Sequence, residues 1–523
     1  MRRTRAGGAL RRALRRAAVL VATAALTSCA VGPDYRTPNV RVPDHYAALA
    51  PVSGARGARS AASGVDLAHW WRSLADPELD SLVRRAVTDN PSVVVALDRL
   101  QAARLYEAGL TGAALPEVDA GAAFGRGTGS DLTRGRTAEP LTSADSTRGL
   151  TNVTAIGGFD AVWELDVFGK LRREIEQARY DTQATADARS AVLVSVIADV
   201  ARAYVDLRGL QMRASVLRSA SAVLGRAVTI VTQRYHQGIT NELDVAIAKR
   251  ELATVDAQIP LVDAEVSAGE YAIATLTGAY PEDLVAELSK PGMIPEVSAT
   301  VSAGLPLDLL QRRPDVEEAE RQIARANAGI GIATADLFPQ VIATGAVGFQ
   351  QGELGPATVG QHIWSAGPGV IWPLLDFGQL DARVQIANMR TRAALENYRA
   401  TIEQAVQQVD SAAARFLAVE RSIASLGDAV VASQRAVTLA TQRYNRGLTD
   451  YLNVVDAQRA QYSIEEQYVA TQAAVDDKFI DLYRDLGGGW QGFQKIPSIK
   501  RPLPAVVAIF RDTLGRADPL KGP

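Results

Sequence analysis

The 523-residue chain has one cysteine, Cys29, four histidines and four methionines. A single thiol excludes an intrachain disulfide. His45, His69, His236 and His362 are scattered without ligand-like spacing, so no metal site is expected. There is no HExxH and no GxSxG. Gly487-Gly488-Gly489 lacks the lysine and the preceding strand of a phosphate loop, and a helix-ending turn is the expectation there. The chain is therefore expected to be neither an enzyme nor a cofactor carrier. Beyond Leu26 no uncharged apolar stretch approaches the ~18 residues of a membrane-crossing helix. Excess positive charge is missing too. Residues 1–28 hold seven of the 56 basic residues and no acid, so the remainder carries 49 against 58, a net charge of −9, which excludes a nucleic-acid footprint.

The amino terminus carries an export pattern. Residues 1–16 contain seven arginines and no acid, and residues 17–26 are almost wholly apolar, too short to span a bilayer. The stretch ends in Leu26-Thr27-Ser28-Cys29, which resembles the bacterial lipobox. That resemblance implies cleavage before Cys29, a diacylglycerol on its thiol and an acyl chain on its new amine. Several acyl chains, at ~0.8 kcal/mol per buried methylene, anchor durably. Ala30, in place of the aspartate that favours inner-membrane retention, points to the outer membrane. Residues 29–65 then form an acylated, extended segment. An ordinary signal with a leftover cysteine is the plainer alternative.

The rest of the chain is written twice. Trp163-Glu-Leu-Asp-Val-Phe168-Gly169-Lys-Leu171 matches Trp372-Pro-Leu-Leu-Asp-Phe377-Gly378-Gln-Leu380 at an offset of 209, which also superposes Gln233-Arg-Tyr-His-Gln-Gly238-Ile-Thr240 on Gln442-Arg-Tyr-Asn-Arg-Gly447-Leu-Thr449. Upstream, Leu115-Pro116 matches Phe338-Pro339 at offset 223. The 14 extra residues fall between Gly125 and Trp163, where GRGTGSDLTRGRTAEPLTSADSTRG reads as a long polar loop. One duplication gives repeats at 66–290 and 291–486, followed by a C-terminal segment at 487–523; the period is too long for a solenoid.

Residues 170–237 and 379–446 lack proline and hold only Gly209, Gly225 and Gly427. From Leu193 to Tyr235, thirteen positions step by three and four, all apolar but Ser221; their counterparts from Ile402 to Tyr444 are all apolar but Ser433. A seam over six heptads is of coiled-coil grade, and 68 residues make a rod of about 100 Å. Residues 241–277 and 450–486 are expected to return as helices. Rods alone would fit a pore-less envelope coiled coil.

The segments before the rods alter that reading. Val118, Ala120, Ala122 and Phe124 alternate with Glu117, Asp119, Gly121 and Ala123, and Val153 to Trp163 alternate likewise. Residues 341–349 and 362–372 occupy the same places with weaker alternation. Two hairpins (117–163 and 340–372) of roughly ten-residue strands would suit a tilted bilayer crossing, with Trp163, Trp364 and Trp372 at the interface. Hairpins packed on the helices in a soluble protein are the alternative. Four strands cannot close a barrel, and an open edge in lipid costs several kcal/mol per unpaired group. Two copies would give eight strands filled by side chains, and three would give twelve with room for a lumen.

With CAVGPDYRTP (29–38), WWRSLADPELDSLV (70–83), GLPLDLLQRRPDVEEAERQIARANAGIGIATADLFP (304–339), RYNRGLTDYLNVVDAQ (443–458) and DLYRDLGGGW (481–490), the chain resembles the TolC-like outer-membrane factors of tripartite efflux pumps, in their lipoprotein branch. The resemblance implies a mainly α-helical protein with a membrane β-barrel: a homotrimer whose twelve-stranded barrel continues into a coiled-coil tunnel. It implies a periplasmic adaptor and an inner-membrane transporter of the resistance–nodulation–division type as partners. It also implies a constriction at the tunnel tip, with Tyr235, Asp244, Tyr444, Asn453 and Asp456 as the matching positions. Asn453 departs from the aspartate common there, which would remove one charged ring. Tyr235 and Tyr444 also lie on the seam, where they could simply complete the coiled coil. A conduit for type I protein secretion is the alternative function.

Overall fold

A computed structural model describes residues 30–43, 46–49, 66–124, 152–295, 297, 312–354 and 357–494. The signal segment, Cys29, the 125–149 loop and the 495–523 part of the C-terminal segment lie outside the described residues. A 3-10 segment, Leu67–Leu74, leads into α1 (Pro77–Asp89) and α2 (Pro91–Ala113). Both helices open with proline at the first position, where no N–H is needed, behind a side-chain cap. Asp76 accepts from Glu78 N at 2.8 Å, and Asn90 accepts from Ser92 N at 2.8 Å. Then come β1 (Glu117–Phe124), β2 (Asn152–Leu165), α3 (Lys170–His236), α4 (Glu242–Asp256), α5 (Ile259–Leu276) and α6 (Pro281–Leu288). The second half repeats the plan as α7 (Pro314–Ala335), β3 (Gln340–Leu354), β4 (Ala357–Ile371), α8 (Gln379–Asn445) and α9 (Tyr451–Asp485).

The two rods, α3 and α8, are 67 residues each. Each begins after a glycine in the left-handed region, Gly169 (φ 83°) and Gly378 (φ 84°). Each ends in the same Schellman turn. Gly238 N donates to Tyr235 O and Ile239 N to Arg234 O; Gly447 N donates to Tyr444 O and Leu448 N to Arg443 O, all at 2.9 Å. The return helices differ between the halves. α9 runs 35 residues unbroken, as expected. The expected single helix over 241–277 is instead broken at Ala257-Gln258, because Pro260 cannot donate to the preceding turn.

The four strands form one antiparallel sheet, ordered β1-β2-β3-β4. β2, β3 and β4 have 14 or 15 residues rather than about ten. The surplus in β3 is its polar end, Gln350-Gln351-Gly352-Glu353. Register places Asp119 opposite Asp160 and Asp160 opposite Ala346, so Ile156, Asp160, Ala346 and Ile363 share one face. The other face presents Val118, Phe124, Phe159, Trp163, Val347 and Trp364, all exposed in the single chain.

The main core lies midway along the rods, where the WWRSLADP and DLYRDLGGGW segments meet. Trp70 stacks on Tyr483 at 6.2 Å and meets Phe479 edge-on, against Leu193, Ile197 and Tyr204. The triple glycine ends α9 as expected: Gly487 has φ 71°, and Gly488 N donates to Tyr483 O. A Cβ on Gly488 would sit 2.8 Å from Leu67 O and 3.0 Å from the Trp70 ring. Gly488→Ala is therefore expected to destabilise by about 1–3 kcal/mol through overpacking, seen as a lower thermal midpoint.

Candidate functional site: a membrane sheet, a helical wall and its tip

α2, α3, α7 and α8 pack side by side in that order above the sheet, so the helical layer and the sheet both start with the first repeat and end with the second. The corners between them are built identically. Trp163 Nε1 donates to Ala114 O and Trp372 Nε1 to Leu337 O, both at 3.1 Å, at positions related by the two sequence offsets. Among the described residues no helix is long and apolar enough to cross a membrane. The outward apolar face of the sheet is the surface with that character.

The segment after Cys29 is tied to the same corner. Val31 N donates to Phe168 O at 3.1 Å. The Arg173 guanidinium donates to Val31 O, Gly32 O and the Asp34 carboxylate. A Cβ on Gly169 would lie 2.7 Å from Ala30 Cα. Further along, Tyr35 and Thr37 hydroxyls both donate to Glu320 at 3.1 Å. The first residue beyond Cys29 is thus held where β2 turns into α3.

The rod tips hold the five matched residues in three environments. Tyr235 and Tyr444 occupy equivalent seam positions but are not equivalent. Tyr444 is buried, its ring 5.3 Å from Tyr451 and 4.7 Å below the Arg234 guanidinium. Tyr235 is exposed beside His236. Within the single chain, then, Tyr444 is packed in the seam and Tyr235 is open. The hydroxyls of Tyr444 and Tyr451 have no hydrogen-bond partner among the described residues, and burial raises the Tyr451 phenol to about 12.

Asp244 and Asn453 are repeat counterparts and make the same contact. The Thr240 hydroxyl donates to the Asp244 carboxylate, and Asn453 Nδ2 donates to Thr449 Oγ1 at 2.8 Å. The amide keeps the pairing with the threonine, with the hydrogen bond reversed, and removes the charge. Asp456 is exposed on α9, near Arg459.

Sequence reasoning missed the group that joins the two return helices. Glu251 on α4 is 5% exposed and receives both Arg459 from α9, through Nε and Nη2, and Arg250 Nε at 2.9 Å. The Arg459 hydrogen bonds, then Arg250, hold its carboxyl below the usual range. It is the ion pair between α4 and α9 among the described residues. Arg250 and Arg459 are themselves counterparts at offset 209, whereas Glu251 is matched by Ala460. Two equivalent bases with an acid in only one copy was the available signal. No group of His, Cys, Asp and Glu suited to a metal ion occurs among the described residues.

The family profile described as "Outer membrane efflux protein" matches residues 82–279 and 305–488, one stretch in each half of the chain. The chain is 28% identical over 482 residues to Nodulation protein T of Rhizobium leguminosarum bv. viciae, covering 91% of this chain and 94% of that one. It is 28% identical over 479 residues to the toluene efflux pump outer membrane protein TtgF of Pseudomonas putida, covering 90% and 96%. The solved outer-membrane channel OprN superposes with a TM-score of 0.76 at 32% identity, covering 88% of this chain and all of that one. With both repeats matched, the four-stranded sheet beneath paired rods and whole-length likeness to such a channel, the chain belongs to the outer membrane efflux protein family and is an outer-membrane efflux channel, not an enzyme.

Proposed function

We propose that the mature chain is a lipoprotein acylated at Cys29 and assembled as a homotrimer. Its twelve strands would close a barrel in the outer membrane, and its rods would form a periplasmic tunnel shut at the tip until an adaptor engages it. The adaptor couples it to an inner-membrane transporter, of the resistance–nodulation–division type by family resemblance, and the transporter selects small-molecule substrates. The observation that carries this reading is the sheet itself, which has an apolar outer face and two strands, β1 and β4, each with one edge unpaired within the chain. In lipid those edges must be satisfied by other copies.

The tie between residues 31–34 and Arg173 supports the anchor, since it holds the segment that follows Cys29 in the sequence at the sheet–rod corner, where Trp163 and Trp372 lie. Acyl chains there enter the periplasm-facing leaflet without stretching the protein. Cys29→Ala is expected to abolish metabolic palmitate labelling and slow maturation while the barrel still inserts, because the strands bury more apolar area than the acyl chains. Labelling at the unaltered level would overturn the lipid assignment.

At the tip, the Glu251–Arg459 clasp holds the return helices together and Tyr444 packs the end of α8 on Tyr451 of α9, while Asp244 and Asp456 supply negative charge, each three times in a trimer. Close triplets of carboxylates repel one another and attract cations, which makes a cation-sensitive constriction. Asn453 omits the third ring. Deleting the gene should sensitise cells to the exported compounds, and the panel of compounds affected identifies the substrate class; no change in any susceptibility would refute an efflux role.

A further inference from the structure

The duplication has an unfinished contact. Within the chain, the corner of the first repeat docks on the helix–strand junction of the second: Phe168 stacks on Phe338 at 4.8 Å. Lower down the same seam, Gln177 on α3 reaches α7, donating to Arg325 O and lying 3.3 Å from where a Cβ on Gly329 would be. The offsets carry Phe168 to Phe377 and Phe338 to Leu115, and likewise Gln177 to Ile386 and Gly329 to Tyr106. The matching corner of the second repeat therefore requires a first repeat beyond the end of the chain. All four residues are apolar or aromatic and lie open in the single chain: Phe377 is 97% exposed, Leu115 67%, Tyr106 63% and Ile386 51%.

Phe377 is also strained. It has φ 53°, a conformation costly for an aromatic residue, whereas Phe168 is not in the left-handed region. The local cause is a shifted capping acid. Asp166 lies three residues before Gly169 and accepts from Leu171 N and Arg172 N; Asp376 lies two before Gly378 and accepts from Gly378 N and Leu380 N. The backbone turns early and projects Phe377 outward.

We propose that Phe377 packs on Leu115, and Ile386 on Tyr106, of a neighbouring copy, and that these contacts set the register in which copies join at the sheet–tunnel corner. The second copy is the occupant because the chain already contains the interface once, between α3 and α7, and the new seam from α8 to α2 continues that helical layer as β4 to β1 continues the sheet. The seam differs from its template in chemistry. Lys170–Asp336 at 2.7 Å and Arg325–Asp181 at 3.0 Å stabilise the internal version. Their counterparts, Gln379 with Ala113 and Ala102 with Arg390, form no opposite-charge pair. The joint between copies therefore lacks the ion pairs that stabilise the joint within a copy and rests on its apolar contacts, so it should persist at high salt.

This inference rests on the homotrimer reading. The test introduces Leu115→Cys with Phe377→Cys in the full-length protein, purified from outer membranes and treated with a short bis-maleimide. Cys29 is the only native cysteine and is occupied by lipid in that reading, so the engineered pair supplies the free thiols. The expected product on a denaturing gel is a three-chain species, with each single variant staying at one chain. Phe168→Cys with Phe338→Cys should cross-link inside one chain and migrate as a single chain. Should the first pair fail to assemble, Tyr106→Cys with Ile386→Cys must give the same three-chain product. Trimers of normal native mass in which neither pair cross-links, while the internal control does, would overturn this seam and leave the trimer standing. A native mass of one chain for the unaltered protein would overturn both.

Discussion

On the proposed reading of the tip, Tyr444→Ala combined with Arg459→Ala is expected to raise single-channel conductance several-fold and to make cells sensitive to large antibiotics such as vancomycin. Tyr444 is buried between Tyr451 and the Arg234 guanidinium. Truncating a buried aromatic residue costs ~3–5 kcal/mol, reduced here by release of a buried hydroxyl that has no hydrogen-bond partner among the described residues. Removing Arg459 takes away the tie from α9 to Glu251 and leaves that buried carboxylate to Arg250 alone. A constriction that a partner protein must reverse can be held by only a few kcal/mol. Each single variant should therefore show part of the effect. Asp456→Ala alone should leave the resting conductance low but weaken block by multivalent cations from the periplasmic side. Unchanged conductance and unchanged cation response in assembled trimers would place the constriction elsewhere.

Asp187→Asn is expected to raise thermal stability at pH 8 and to flatten its dependence on pH between about 4 and 7. Asp187 on α3 faces Glu317, Glu318 and Glu320 of α7, with Arg321 the nearby cation at 3.9 Å. Burial, then repulsion from Glu317, raises its carboxyl from 3.8 to about 7. Below pH 4 both folded and unfolded chains hold the proton. Between 4 and 7 the unfolded chain has released it while the folded chain keeps it, so stability falls as pH rises. Above 7 the folded protein carries the full penalty, roughly three pKa units and so at most about 4 kcal/mol. Asparagine has the same shape without the charge. Because other acids on these helices also titrate high, the reading is the difference between the two proteins across the range. A constant difference from pH 4 to 8 would refute the assignment.

The duplication made most of the architecture legible. Rod limits set by glycine and the absence of proline fell within one residue, because an uninterrupted seam over six heptads leaves few alternatives. The weakly alternating β3 and β4 were found only through their stronger counterparts. What stayed hidden depends on differences between the copies. Pro260 breaks one return helix and has no equivalent in the other. Tyr235 and Tyr444 share a register, yet only Tyr444 meets Tyr451 and Arg234, a matter of three-dimensional neighbours that period alone does not encode. Of the tip, the five matched positions came from resemblance alone, and their role there is a proposal. Glu251 was not, since its partner is 208 residues away and its own counterpart is alanine.

The conduit reading is tested most directly by purifying the protein from outer membranes, measuring its native mass and recording single channels from the same sample in planar bilayers. Three chains per particle and a small resting conductance that rises in Tyr444→Ala/Arg459→Ala are expected. Particles of one chain, or three-chain particles that pass no current in either form, would contradict a trimeric channel closed at its periplasmic tip.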